Sequence, residues 1–387
     1  MQKRRILVVS HACVNPLNQQ LYAEVQEFTG WEFVILLPAV WRDEFGNILR
    51  PTEQHGFKVE LVTAPVWLNG NIILHSYRCN LRSFLIQGRF DLIYLNHEPY
   101  AAATAQLCWT NLHSARLPFG FYSCQNIYKK YPAPFSWTEQ MVYRSSSFAF
   151  PITETVGEVI KRKGFQGELA VCPLPFDARL YRTYPPEEYP DSIRAIGAEV
   201  VIGYVGRIVE QKGLRTLLEA VARLPRTSWR LVLIGSGPFE GELDQLIKNL
   251  GLVERVVRLG YVAHGEIAKF LAALDLLVLP SETQPNWKEQ FGRVIVEALA
   301  CGTPVIGSDS GEIPKLLSLS KGGFTFPERN AEALAAVLRQ MINNSRLREE
   351  CAKRGQGWAL QYVSLNAVAK KMAATMERAL DNAAPSH

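Results

Sequence analysis

Two glutamates, Glu289 and Glu297, stand eight positions apart across a loop-to-helix transition in SETQPNWKEQFGRVIVEALACGTPVIGSDSG. Carboxylates accept hydrogen bonds from hydroxyls, and the helix start between them suits an anion. The apolar positions Phe291, Val294, Ile295, Ala298 and Leu299 recur at helical spacing, which predicts a helix from about Phe291 to Cys301-Gly302, with Pro304 confirming the stop. The first turn of a helix carries unpaired N–H groups and a partial positive charge, so the amides of Phe291, Gly292, Arg293 and Val294 form a candidate phosphate seat. Gly292 admits close approach. At about 1.5 Å per residue the two carboxylates lie at most ~12 Å apart if helical, comparable to the reach from a sugar ring past a diphosphate to a ribose. Glutamates on helices are mostly solvated, so this pair gains meaning only from its surroundings.

Gly206-Arg207-Ile208-Val209-Glu210-Gln211-Lys212-Gly213 lies between a strand, Val200 to Val205, and a helix from about Leu214 to Leu224. Gly206 frees space at the strand end, Arg207 can fork onto phosphate oxygens, and Lys212 supplies a point charge. A cation at a helix start opposes the macrodipole, a local cost that a bound anion offsets. His97 follows the strand Leu92 to Leu95, on the side of a parallel sheet where ligands bind. Gly235-Ser236-Gly237 is not a dinucleotide fingerprint, because Glu240 takes the place of the third glycine. Asp309 within GSDSG has the spacing of a nucleophile elbow, a reading that the surrounding text disfavours.

The string EQFGRVIVEALACGTPVIGSDSGEIP together with G-R-x4-K-G resembles the signatures of retaining glycosyltransferases with the GT-B fold, glycosyltransferase family 4. The resemblance implies an α/β protein of two Rossmann-like, doubly wound parallel-sheet domains facing across a cleft. It implies transfer of a sugar from a nucleotide diphosphate sugar to an acceptor hydroxyl with retention, a hexosyltransferase of cell-surface glycan or lipid-linked intermediates. Arg207 and Lys212 would hold the diphosphate, Glu289 the sugar hydroxyls and Glu297 the ribose. His97 would contact the sugar, and the backbone near Val262 the base. The chain has no D-x-D pair, which fits the metal independence usual for that fold: no metal and no cofactor are expected. The first strand's exit departs from the family, with no glycine between Met1 and Gly30, so contacts there fall to side chains such as His11, Asn15 or Asn18. The alternatives are a nucleotide-sugar epimerase on the same fold and a non-catalytic nucleotide-sugar-binding protein.

The elements around these residues alternate. Ile6 to Ser10, Phe33 to Leu37, Val59 to Val62, Leu92 to Leu95 and Phe119 to Ser123 are strand-like, separated by helical stretches such as Leu17 to Phe28 and Tyr100 to Leu112. Glu168 to Cys172 closes this series, and a second one begins at Val200. The expected domains are 1–176, a proline-rich connector 177–198, 199–357, and a helix over 358–387 that crosses back to the first domain. Arg78 and Arg82, four apart, suggest a basic helix face that could rest on a membrane, and Trp41, Trp67, Tyr100, Tyr128, Tyr131 and Trp137 add aromatic loops.

With 387 residues, 48% hydrophobic and a net charge of +5, the chain is long enough for two domains and too mildly basic to announce nucleic acid. Seven cysteines without a C-x2-C pair argue against both a zinc site and a disulfide framework. The short apolar run after the basic start is a strand rather than a leader, and no stretch nears the ~20 apolar residues of a membrane span. A cytoplasmic protein, at most resting on the inner membrane face, is expected.

Overall fold

The computed structural model describes residues 3–43, 46–53, 59–197, 199–225 and 229–383. The chain divides into two units, the first made of 1–175 and 365–387 and the second of 176–364.

In the first unit seven parallel strands form one sheet: β1 (Arg5–Val9), β2 (Glu32–Pro38), β3 (Glu60–Ala64), β4 (Leu92–Leu95), β5 (Phe119–Ser123), β6 (Phe148–Pro151) and β7 (Glu168–Leu169). Their spatial order is β7-β6-β5-β4-β1-β2-β3. Near-continuous apolar strands such as Ile6–Val9 and Phe33–Leu37 are fully buried, as a parallel sheet covered on both faces requires. The core continues into helix α1 (Gln20–Thr29) and a carboxy-terminal helix (Leu365–Ala383), whose Val368, Met372, Met376 and Leu380 are buried with Tyr22, Val25 and Phe33. That helix packs along α1.

In the second unit six parallel strands, β8 (Val200–Val205), β9 (Trp229–Ile234), β10 (Val256–Gly260), β11 (Leu276–Leu279), β12 (Val305–Ser308) and β13 (Gly323–Phe326), run in the order β10-β9-β8-β11-β12-β13. The segment 177–198 lies in this unit, where it forms a 3-10 turn at Pro186–Glu188 and a short helix at Asp191–Arg194. Both sheets grow outward from their first strand in one direction and then, after a crossover, in the other. Each therefore has a switch point, between β1 and β4 and between β8 and β11, where the two flanking loops diverge and leave a crevice.

Several local expectations change. The expected basic helix does not include Arg78: Asn80 caps the helix Leu81–Gln87 by accepting from Ser83 N–H at 3.0 Å. The helix expected from Leu17 begins as a 3-10 turn over Pro16–Gln19, because Pro16 starts it and Asn15 caps it. β6 is missing from the sequence reading, being four buried residues with only a Ser-rich signal before them.

Candidate functional site

At the second unit's switch point, the loop after β8 carries Gly206 to Gly213 and the loop after β11 carries Pro280 to Gly292. Main-chain contact holds the two loops together. Gly213 has φ +66°, and a Cβ there would stand 1.9 Å from the Pro280 carbonyl oxygen, so only glycine allows the approach. The Glu282 N–H donates to the Gln211 carbonyl at 2.8 Å. Gly311, φ +57°, lies so close to Glu289 that a Cβ would meet the latter's carbonyl oxygen at 2.0 Å, and the Glu312 N–H donates to that oxygen at 3.2 Å.

These contacts place two of the sequence candidates against each other. Lys212 Nζ lies 2.5 Å from Glu289 Oε2, and Ser281 Oγ donates to the same oxygen at 2.8 Å. Both charged side chains are largely buried, at 19% and 10% exposure, and the Trp287 ring stands 5.2 Å from Lys212 Nζ. Arg207 is exposed at the same loop. Its carbonyl accepts from Tyr204 OH at 2.6 Å, which fixes the backbone leaving the strand.

The helix expected from Phe291 is α2 (Arg293–Ala300), which starts two residues later because Gly292 caps it in a left-handed conformation. Its opening amides, Arg293 and Val294, face no carbonyl of their own helix, while Phe291 turns into the core. Glu297, one turn along, is buried and accepts from Arg293 Nε at 2.8 Å. Burial raises its pKa, and Arg293 and a bond to Tyr181 oppose the rise. Tyr181 OH also lies 3.3 Å from the His264 ring nitrogens, and burial followed by the Arg293 charge lowers the His264 pKa. Val262 follows β10 and is half-buried beside the exposed Tyr261. Asp309 accepts from the Glu328 N–H at 2.8 Å, a loop brace rather than a nucleophile's setting.

Sequence reasoning missed Ser281, Glu282, Tyr181 and His264. Glu282, which takes the Thr216 hydroxyl at 2.7 Å and Arg329 at 3.3 Å, sits at the β11 exit, a position that could have singled it out. Tyr181 sits in the segment taken as connector, and nothing in its spacing marks it.

In the first unit, the exits of β1 and β4 bring His11 and His97 together, and His75 joins them from the turn Asn71–His75. Ring centroids are 5.0 to 5.3 Å apart, with Trp41 4.9 Å from His11 and 5.0 Å from His75. His75 is 0% and His97 3% exposed. Burial pushes the His11 pKa down to about 3, and the nearby His75 adds to this. Burial lowers His75 and carries His97 well below its usual value, with His11 and His75 contributing to the latter. All three rings are neutral at neutral pH. The other first-loop candidates are engaged locally: Asn15 Oδ1 accepts from Leu17 N–H at 3.1 Å and Asn18 Nδ2 donates to the Ala12 carbonyl at 2.7 Å, so both hold their own loop.

Residues 187–358 match the family model for glycosyl transferases group 1. Among curated relatives, the chain is 25% identical over 248 residues to alpha-D-kanosaminyltransferase of Streptomyces kanamyceticus, covering 61% of this chain and 62% of that one. It is 34% identical over 168 residues to the lipopolysaccharide core biosynthesis glycosyltransferase LpsE of Rhizobium meliloti, covering 43% and 47%. The chain thus spans about half the length of the curated relatives it matches. Of solved structures, Anabaena HepE in complex with UDP superposes with a TM-score of 0.73 at 22% identity, over 97% of this chain and all of that one. The fold is GT-B.

Proposed function

We propose that this protein is a retaining glycosyltransferase that moves a sugar from a nucleotide diphosphate sugar to an acceptor hydroxyl. The observation that carries the reading is the Lys212–Glu289 pair, held at the switch point of the second unit beside Arg207 and the start of α2. Departure of a nucleoside diphosphate concentrates negative charge on its phosphates, and preorganised cations and amides stabilise that charge most. Arg207, Lys212 and the Arg293 and Val294 amides take this role, without a metal ion at the diphosphate. Glu289 orients sugar hydroxyls and Glu297 grips the ribose. No enzyme base is assigned. The domain match over 187–358, the relatives named for glycosyl transfer and a neighbour of the same fold in complex with UDP support the assignment. Retention rests on the two sequence signatures alone.

The acceptor is a glycan or lipid-linked intermediate of polysaccharide synthesis, met by the first unit at a membrane's inner face. Trp67, Leu68, Ile72, Ile73 and Leu74 are exposed apolar residues on one stretch, and the Arg78 guanidinium stacks on Trp67 at 4.1 Å. Such a loop can enter a headgroup layer. Among the described residues no helix is long and apolar enough to cross a membrane.

The test is a thermal-shift screen of nucleoside diphosphates and their sugars, followed by NMR assignment of the product anomer. A donor at 100 times its Kd adds about 2.7 kcal/mol, a rise of several degrees. If no nucleoside diphosphate moves the transition, the donor seat is wrong; an inverted product refutes retention; a free epimerised sugar nucleotide refutes transfer.

A further inference from the structure

We propose that His11, His75 and His97, all in the first unit, form a binding site for one divalent transition metal ion of the zinc class. One nitrogen from each ring can be chosen so that all three lie within 4.8 Å of one another. A tetrahedral ion with Zn–N bonds of 2.0–2.1 Å sets its nitrogens about 3.3 Å apart, so closure asks for ring shifts of about 1.5 Å or less.

The second observation is independent of that proximity. His11 Nδ1, His75 Nε2 and His97 Nδ1 are each buried and have no hydrogen-bond partner among the described residues. A buried polar nitrogen normally finds one, and here one nitrogen on each of three neighbouring rings does not. His75 shows how the pocket is set. Its Nδ1 lies 3.0 Å from the Asn71 carbonyl oxygen, which can only accept, so Nδ1 carries the proton and Nε2 keeps its lone pair. A backbone carbonyl that fixes the tautomer of a ring is the usual second layer of a metal-ligating histidine. His97 Nε2 receives only a 3.4 Å approach from the His11 N–H, so this ring is held by no strong hydrogen bond that a metal would have to break.

The donor set is three imidazole nitrogens. Neutral nitrogen ligands select zinc, copper, nickel or iron over magnesium or calcium, which need oxygen. Three protein ligands leave a fourth position, open to water or to a substrate oxygen. It lies where β1 and β4 diverge, the place at which such sheets take ligands. On this assignment His97 holds the ion, and His11 anchors the glycine-free first loop to it.

The full-length chain, stripped with a chelator and dialysed, is titrated with Zn²⁺ by calorimetry and with Co²⁺ by visible absorption. One equivalent of Zn²⁺ and the intense d–d bands of tetrahedral Co²⁺ are expected. His11→Ala, His75→Ala and His97→Ala should each weaken Zn²⁺ binding about 100-fold or more, since losing a ligand exceeds losing its supporting partner. His113→Ala, at an exposed ring outside the cluster, should leave it unchanged. Circular dichroism checks each variant; should the buried ones fail to fold, the wild-type stoichiometry and cobalt spectrum decide, together with the more exposed His11→Ala. No zinc uptake by the folded wild type, cobalt without tetrahedral bands, or unchanged affinity in a folded cluster variant overturns the site.

Discussion

Replacing Glu289 by Gln separates two jobs that one carboxylate performs. Lys212 is held by Glu289 at 2.5 Å, so a diphosphate that arrives must compete for it. At an effective dielectric of about 20 that distance corresponds to roughly 6 to 7 kcal/mol of gross attraction. Lost hydration of two largely buried groups cancels most of it, leaving a net coupling of about 2 to 3 kcal/mol. E289Q should therefore lower the unfolding free energy of the free protein by about that amount, read as a shifted urea midpoint. The same substitution frees Lys212 and removes a negative charge from beside the phosphates. Binding of a bare nucleoside diphosphate should tighten about 10-fold, or ~1.4 kcal/mol, because the amide still takes the Ser281 hydroxyl and recovers only part of the coupling. Sugar transfer should instead fall about 100-fold, since the group that orients the hydroxyls has lost its charge. Calorimetric titration and a turnover assay on the same preparation give both numbers. If diphosphate binding and turnover weaken together by one factor, Glu289 is a brace for the loop and the assignment of its carboxylate to the sugar fails.

Other outcomes follow from the same contacts. Gly213→Ala forces a methyl against the Pro280 carbonyl at a left-handed position and should destabilise the second unit by about 3 kcal/mol or more, with loss of the diphosphate-induced thermal shift; an unchanged melting curve contradicts this. Metal-free protein should lose stability in acid. Its three neutral histidines stay deprotonated when folded and titrate near 6.5 when unfolded, so protons favour the unfolded chain below that value. Stability is thus kept above pH 6.5 and lost as pH falls, by about 2 kcal/mol between pH 6.5 and 5.5 from His11 and His97, with His75 acting in the same direction; equal urea midpoints at pH 7.5 and 5.5 would refute it. Trp67→Ser with Ile73→Ser should abolish cosedimentation with anionic vesicles while leaving nucleotide binding intact, and retention of vesicle binding removes the proposed membrane contact.

The second unit was legible because its chemistry is local in sequence. Gly206, Arg207 and Lys212 leave one strand within a single loop, and Glu289 to Glu297 run through one helix start, so spacing alone carries their relation. What spacing could not show is that the two loops touch. Lys212 and Glu289 are 77 positions apart, and their pairing depends on Gly213 and Gly311 letting main chains approach within distances that no side chain permits. The helix starts two residues later than the apolar period predicts for a related reason, since Phe291 fits that period yet precedes a glycine whose φ of +71° cannot continue a helix.

The first unit hid its site for the opposite reason. A histidine at a strand end invites one assignment, and nothing beside His97 in the sequence points to its partners: Asn96 and Glu98 turn to Ser10 and Tyr22 on one side and to Ser123 and Cys124 on the other. The partners that define it come from positions 11 and 75, brought in only because β1 and β4 are adjacent in a sheet whose order reverses there, and because the Asn71 turn is closed by bonds to the His75 amide and ring. No period or motif encodes that meeting; the strand order does. It also changes what the missing first-loop glycine means. A glycine at position 11 would let a backbone approach a phosphate, whereas the histidine found there completes a neutral, buried nitrogen set that an anion would not choose. The glycine-free first loop and the three unpartnered nitrogens are then one feature, and His11→Gly should lose zinc binding while keeping the nucleotide seat.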